Sequence, residues 1–287
     1  MSYIDLHIHS NISLDGTCSI REIIEISKLN RMKTIAITDH NSVKGVHEAM
    51  QLGKENNIRV IPGIEIDCNY KRIDFHMTAY NIDIHDIRYE DIENYTLENA
   101  RINSWKSVNK FLNETNIKVS KAALEAISVQ GILVPEDLCD YLLSNDEYND
   151  LEILKAYRKG GDRSNNPNVN FYWDYFSQGK VGYFKEERLN ALDVVKIIHE
   201  TGGITVIAHP KANFKDKDDI LEELLSYVDG IEVFSTYHDL EDCEKYFELA
   251  NKHCLKITCG SDFHGIHKPN IQIGNILGRN IEKHVSL

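Results

Sequence analysis

Short apolar runs that end in histidine, aspartate or glutamate recur along this chain, and they constrain its fold more than any other feature. "YIDLHIH" (3–9) alternates strictly and reads as a β-strand with Tyr3, Asp5, His7 and His9 on one face. "KTIAITDH" (33–40) is an apolar strand that ends in Asp39-His40. "IRVIPGIEIDC" (58–68) reads as two short strands split by Pro62-Gly63, with Glu65 in the second. "DFHMTAY" (74–80) carries His76. Further on, "GITVIAHP" (203–210) ends at His209-Pro210, "GIEVFS" (230–235) follows a helix as another strand, and "KITCGSDFHG" (256–265) delivers Asp262 and His264.

Helical spacing fills the gaps. Residues 19–30 put Ile20, Ile23 and Ile24 on one face, and Ser19 and Glu22 are spaced as a capping box. Helices are also expected at 43–55, 189–201, 216–227 and 239–253. Alternating strands and helices predict parallel β/α units. From 86 to 187 the pattern changes to polar, mostly helical spacing, and "KGGDRSNNPNVN" (159–170) reads as a loop. The simplest organisation is one barrel-like α/β domain, 1–85 with 188–287, interrupted by a helical insertion at 86–187.

In such a barrel the C-terminal strand ends converge on one mouth, so residues far apart in sequence meet in space. Imidazole and carboxylate together suit zinc, manganese and iron. Two histidines at i and i+2 of one strand point the same way and can serve one ion. A lone strand-end histidine is usually an ordinary core or loop residue. Burying this many histidines and carboxylates without partners would be costly, and bound cations remove that cost.

Bulk properties narrow the function. The 287 residues are 42% apolar and 27% charged, and no run approaches the length of a membrane span. The N-terminus lacks a signal-peptide pattern, and Cys18, Cys68, Cys139, Cys243, Cys254 and Cys259 form no C-x-x-C pair, so reduced thiols in the cytoplasm are expected. A net charge of −13 speaks against binding long duplex nucleic acid. Metal ions can still supply local positive charge for a phosphate.

In this order, "DLHIHSNISLDG", "IAITDHNSVKG", "IPGIEID", "VIAHP" and "CGSDFHG" resemble the polymerase and histidinol phosphatase (PHP) family. The resemblance spans 3–80 and 180–265, and is nearest to the stand-alone metal-dependent phosphoesterases, which include nucleotide 3′,5′-bisphosphate phosphatases and a 5′–3′ ribonuclease. It implies a distorted seven-stranded β/α barrel with up to three divalent metals, manganese, zinc or iron. His7, His9, Glu65 and Asp262 would hold one ion, and Glu65, His76 and His209 a second, with Glu65 bridging. Asp15, His40 and His264 would hold the third. Asp5 and Asp39 flank ligands and are expected to orient them.

The resemblance further implies hydrolysis of a phosphate monoester on a nucleotide or another small phosphorylated metabolite, by attack of a metal-bridging hydroxide. His238, in "STYHDLED", is a candidate proton donor or phosphate contact, with a surface helix-start residue as the bland alternative. The insertion is expected to cover the mouth and select the substrate. A "GRPH"-like motif of relatives is absent there; the stretch reads "GILVPEDLCDYL" (131–142). Lys211, Arg163 and Lys185 are the favoured cations for a second phosphate, alongside Arg101, Arg158 and Lys180; each is individually more often a solvated charge. Trp173 or Tyr183-Phe184 would stack a base, or simply pack the insertion. The competing readings are a phosphodiesterase or 5′–3′ exonuclease on short oligonucleotides, and a non-catalytic metal-binding interaction module. The intact ligand set speaks against the latter.

Overall fold

The computed structural model describes residues 2–13, 15–185, 187–278 and 281–287. The chain divides into two compact units, Met1–Asn94 with Arg188–Leu287, and Tyr95–Glu187. In chain order the elements are β1 (Ile4–Asp5), α1 (Ile20–Leu29), β2 (Thr34–Ile37), α2 (Val46–Glu55), β3 (Arg59–Tyr70), β4 (Ile73–Tyr80) and α3 (Ile87–Thr115). Then come α4 (Lys121–Ile127), α5 (Pro135–Ser144), α6 (Pro167–Tyr175), β5 (Leu189–Asn190), α7 (Ala191–Glu200), β6 (Ile204–Ile207) and α8 (Pro210–Asn213). The chain finishes with α9 (Asp218–Leu224), β7 (Gly230–Ser235), α10 (Leu240–Lys252), β8 (Lys256–Gly260) and α11 (Ile281–His284).

The first unit is a seven-stranded sheet in the order β1-β2-β3-β4-β6-β7-β8, with β5 beside β3. It curls until its edges meet: Leu6 N–H donates to Cys259 O at 3.0 Å and His9 N–H to Phe263 O at 2.9 Å. The result is a nearly closed barrel. Gly260 permits this closure, because a Cβ there would lie 2.0 Å from the His7 Cβ. Apolar residues of the strands, including Ile35, Ile37, Ile64, Ile66, Ile207 and Ile231, are buried. Each contributes about 1.5–3 kcal/mol of hydrophobic stabilisation. Ser19 and Glu22 form the expected capping box on α1, whose Ile20, Ile23 and Ile24 face the core.

Two local readings change. "IRVIPGIEIDC" is not two strands but part of the continuous twelve-residue β3. Pro62 and Gly63 mark where β3 changes partners, from parallel pairing with β2 through Pro62 to antiparallel pairing with β4 from Gly63. A proline is tolerated where its missing N–H is not called on. Nor is the sheet wholly parallel: β4 runs antiparallel to both β3 and β6. The cause is the two-residue connection Lys71-Arg72, both at positive φ (48° and 70°), which is too short for anything but a hairpin.

The second unit is helical, as its spacing predicts. Phe111, Leu138, Leu142, Leu154, Tyr157, Phe171 and Phe176 are buried in one cluster. Within the expected 159–170 loop, α6 already begins at Pro167, a residue suited to the first helical turn. All six cysteines are unpaired. Among the described residues no helix is long and apolar enough to cross a membrane.

Candidate metal centre

Glu65 lies at the middle of the barrel mouth, wholly buried, and its two oxygens divide the surrounding histidines. Oε2 lies 3.1 Å from His7 Nε2, 3.0 Å from His9 Nε2 and 3.4 Å from His40 Nδ1. Oε1 lies 3.2 Å from His76 Nδ1 and 3.3 Å from His209 Nε2. Asp262 Oδ1 completes the first side, 3.4 Å from His7 Nε2 and 3.2 Å from His9 Nε2. Asp15 Oδ2 lies 3.1 Å from His264 Nε2 and 3.6 Å from His40 Nε2. All nine residues named from the sequence therefore come together in one place.

Backbone geometry aims these side chains. His209 and Asp262 turn through positive φ (26° and 58°), as does Asn41 (55°) beside His40. Non-glycine residues in that region are uncommon and carry local strain. The imidazoles are also oriented from behind. His7 Nδ1 meets Glu232 Oε1 at 3.2 Å, His209 Nδ1 meets Asn213 Oδ1 at 3.0 Å, and His264 Nδ1 meets the Asp262 carbonyl at 2.9 Å. These partners only accept, so each Nδ1 carries the hydrogen. Ser13 Oγ already donates to Asp39 Oδ1, so it accepts from His9 Nδ1 at 3.1 Å. In each of these rings Nε2 is the nitrogen turned to the carboxylates, where a metal would take the place of a proton.

The donor set fits divalent cations on a physical ground. His7 Nε2, His9 Nε2, His264 Nε2 and both Glu65 oxygens are buried and have no hydrogen bond of good geometry. Such groups cost stability unless a cation meets them. Burial opposes charge on Glu65, yet the imidazoles of His7, His40 and His76 hold its carboxyl well below the usual range. Burial likewise opposes protonation of His9, but the carboxylates of Asp262 and Glu65 prevail and lift it to about 9. The same field that attracts these protons attracts metal ions.

Several contributors were not singled out in the sequence. Glu232 holds His7 and accepts the His209 N–H at 2.8 Å. Its signal is a carboxylate inside the otherwise apolar "GIEVFS". Asp67 Oδ1 lies 3.2 Å from His76 Nε2, and its signal is the i, i+2 spacing from Glu65. Tyr237 donates to Asp262 Oδ2 at 2.7 Å, and Lys268 also reaches that oxygen. Asp39 and Asp5 were named from the sequence as residues that orient ligands; Asp39 accepts from Ser10 N–H at 2.6 Å and from the Ser10 and Ser13 hydroxyls, fixing the loop after β1. Asp5 accepts from the backbone of Ser261 (2.9 Å) and Gly274 (2.8 Å), tying the last strand's loop to the first. Burial pushes the Asp5 carboxyl up to about 6.

The remaining candidates lie elsewhere. His238 is buried, not a surface residue; its Nδ1 donates to the Val233 carbonyl at 2.8 Å and its ring lies 4.8 Å from Tyr246. Lys211 is paired with Asp239 and Asp242, and Arg163 with Asp174. Lys185 is exposed. Asp67 Oδ1 has two further neighbours, His40 Nδ1 and an Arg188 guanidinium nitrogen, each at 3.6 Å.

Known proteins resemble this chain over most of its length. The family model for the PHP domain matches residues 5–236. A phosphoribosyl 1,2-cyclic phosphate 1,2-diphosphodiesterase of Eggerthella lenta is 28% identical, over 91% of this chain and 94% of its own. A 3′,5′-nucleoside bisphosphate phosphatase of Chromobacterium violaceum is 26% identical, over 96% of this chain and 92% of its own. The solved structure of an amidohydrolase from Chromobacterium violaceum, with bound sulfate, superposes with a TM-score of 0.72 at 24% identity, covering 98% of this chain and 93% of that one. At that identity the superposition speaks to the fold.

Proposed function

Membership of the PHP domain family, to which this chain belongs, is the premise from which we propose that the centre hydrolyses a phosphate monoester on a nucleotide or another small phosphorylated metabolite. The coarser activity is that of a metal-dependent phosphoesterase. One observation carries the reading: a buried carboxylate, Glu65, with each oxygen turned to a different set of imidazoles and neither oxygen hydrogen-bonded.

His7, His9, Glu65 and Asp262 would hold one ion. Glu65, His76 and His209 would hold a second, and Asp15, His40 and His264 a third. Manganese, zinc and iron all suit these nitrogen and oxygen donors. Divalent ions bound there supply a nucleophile near neutral pH and clamp phosphoryl oxygens. The chain's own work is positional. Glu232, Ser13 and Asn213 fix the ring hydrogens of His7, His9 and His209, and Tyr237 with Lys268 fixes Asp262. Asp15 is half exposed and offers the route by which solvent and substrate approach. Six unpaired cysteines support placing the enzyme in the cytoplasm.

A second reading is cleavage of a phosphodiester, which the diphosphodiesterase relative supports, and on short oligonucleotides it would be a 5′–3′ exonuclease, the activity in the name of a Haemophilus influenzae relative. A phosphate-release screen of the manganese-loaded protein against nucleotides, bisphosphates, sugar phosphates and short oligonucleotides separates the two. Release of phosphate from small monoesters is expected. Cleavage confined to phosphodiesters would transfer the protein to the second reading, and no turnover of any ester would overturn both.

A further inference from the structure

Asp67 has the surroundings of a metal ligand although it is not among the nine candidates. It follows Glu65 by two residues on β3, so both side chains leave the same face of the strand. Across the sheet it is paired directly with His76 of β4. Directly opposed residues of an antiparallel pair hold their side chains together on one face. Asp67 Oδ1 accordingly lies 3.2 Å from His76 Nε2, and 3.6 Å from His40 Nδ1. His40 Nδ1 is buried and has no hydrogen bond. Donor atoms of His40, Asp67 and His76 all lie within 4.8 Å of one another, close enough to share one cation.

The Asp67 carboxylate is divided as that of Asp262 is. Asp262 turns Oδ1 to His7 and His9, while Tyr237 donates to Oδ2 and Lys268 reaches it. Asp67 turns Oδ1 to His76 and His40, while Asn41 Nδ2 donates to Oδ2 at 2.8 Å. The Asp67 N–H donates in return to Asn41 Oδ1 at 3.0 Å, which fixes the carboxylate in place. Each carboxylate also has an attendant cation, Lys268 for Asp262 and Arg188 for Asp67. Residues that only orient imidazoles behave differently. Glu232 and Asn213 are hydrogen-bonded to the Nδ1 atoms of His7 and His209. His76 Nε2 approaches Asp67 as an ion pair without a hydrogen bond, as the Nε2 atoms of His7 and His9 approach Glu65 and Asp262.

We propose that Asp67 is a further metal ligand, holding through Oδ1 the same ion as His76. The inference rests on the reading of this centre as a metal site and adds a carboxylate to the nine side chains assigned there. A second carboxylate beside that ion suits manganese, whose octahedral preference of about six donors still leaves positions for water and substrate. Asp67, His76 and His40 are also partly open, with side chains 25%, 22% and 18% exposed, whereas those of His7 and His9 are fully buried. The ion at Asp67 therefore exchanges more readily than the one at His7 and His9.

The test needs no substrate. Wild type, Asp67→Asn, His76→Ala, the double variant and Asp67→Cys are loaded with manganese or with cobalt(II), and folding is checked by circular dichroism. Asp67→Asn keeps the shape of the side chain and removes its charge. Loss of a residue that merely orients a ligand weakens metal binding by about 10–100-fold. Asp67→Asn should exceed that for one manganese ion in competition with a chelator. His76→Ala should lose the same ion, so the double variant should lose no second one. In cobalt-loaded Asp67→Cys the thiolate should add a sulfur-to-cobalt charge-transfer band to the spectrum of wild type, whose own six cysteines set the baseline. Wild-type manganese affinity in Asp67→Asn, loss of a second ion in the double variant, or a cobalt-loaded Asp67→Cys without the band would overturn the proposal. A wild type that binds no divalent ion would remove the metal centre itself, whereas a loaded wild type with any of those three results removes only Asp67.

Discussion

The two units of this chain bury different things. In the barrel unit Asp5, His7, His9, Asp39, Glu65, Glu232, Asp262 and His264 are all inaccessible. Among the described residues of 95–187 no charged side chain is buried, and the interior is Phe111, Phe171, Phe176 and aliphatic neighbours. Ion pairs of that unit, such as Lys155 with Glu152 and Arg163 with Asp174, involve exposed lysine and arginine. Burying charge opposes folding unless it is compensated. The inserted unit follows the ordinary rule for a stable core. Among the described residues the barrel unit departs from it around Glu65, and that departure is what points to chemistry.

The contrast can be broken most forcefully at Glu65. Glu65→Gln keeps the shape and removes the charge that faces five imidazoles, so metal-dependent phosphoester hydrolysis should fall to background while the far-UV circular dichroism is unchanged. Retained activity would mean that the buried charge is structural. The matching insult to the other unit is Phe171→Ala, which deletes a fully buried ring in contact with Phe111, Tyr157 and Phe176. It should cost about 3–5 kcal/mol in denaturant unfolding, with metal content per folded molecule unaltered. A variant that lost its metals instead would erase the division of labour.

Glu232 sharpens the comparison, because its two oxygens hold two candidate ligands, His7 and His209. Glu232→Gln leaves His7 Nδ1 and the His209 N–H with a neutral partner. Metal affinity should drop by about 10–100-fold, measured by competition with a chelator, and the thermal midpoint of the chelated protein should fall less than in the Phe171 variant. The smallest effect concerns pH. In the chelated protein His9 is raised to about 9 from an ordinary 6.5. A raised histidine stabilises fully below 6.5, and that contribution is lost as pH climbs through 9. The chelated protein should therefore lose a few degrees of thermal midpoint between these pH values, and the loaded protein, whose imidazoles carry metal in place of protons, should not. An identical pH profile in the two forms would contradict the assignment of His9.

How much of this was legible beforehand depended on the kind of signal. The strands and their terminal histidines follow from period-two alternation and short motifs, and α1 from its capping box and isoleucine spacing. The β3–β4 hairpin was not legible, since Lys71-Arg72 lacks the Asn-Gly or Asp-Gly chemistry that announces such a turn. Pro62 misled for a related reason: proline usually ends a strand, but here it sits where β3 exchanges one partner for another. Eight of the nine candidate ligands were reached because each occupies a motif of the family, and His76 because it stands in the strand "DFHMTAY". Glu232 and Asp67 were passed over because a single carboxylate in an apolar strand has no local partner to reveal it, and its meaning arises only when another strand brings a histidine alongside. Lys268 and Arg188 are the extreme case, long side chains whose neighbours are set entirely by tertiary structure.

The account depends most on Glu65 joining two sites through its two oxygens. Elemental analysis of wild type, Glu65→Gln and His264→Ala, purified in parallel and loaded with manganese, tests this directly. Glu65→Gln should lose more metal per chain than His264→Ala, because the carboxylate serves two ions and the imidazole one. Equal metal content in the two variants would contradict the shared carboxylate.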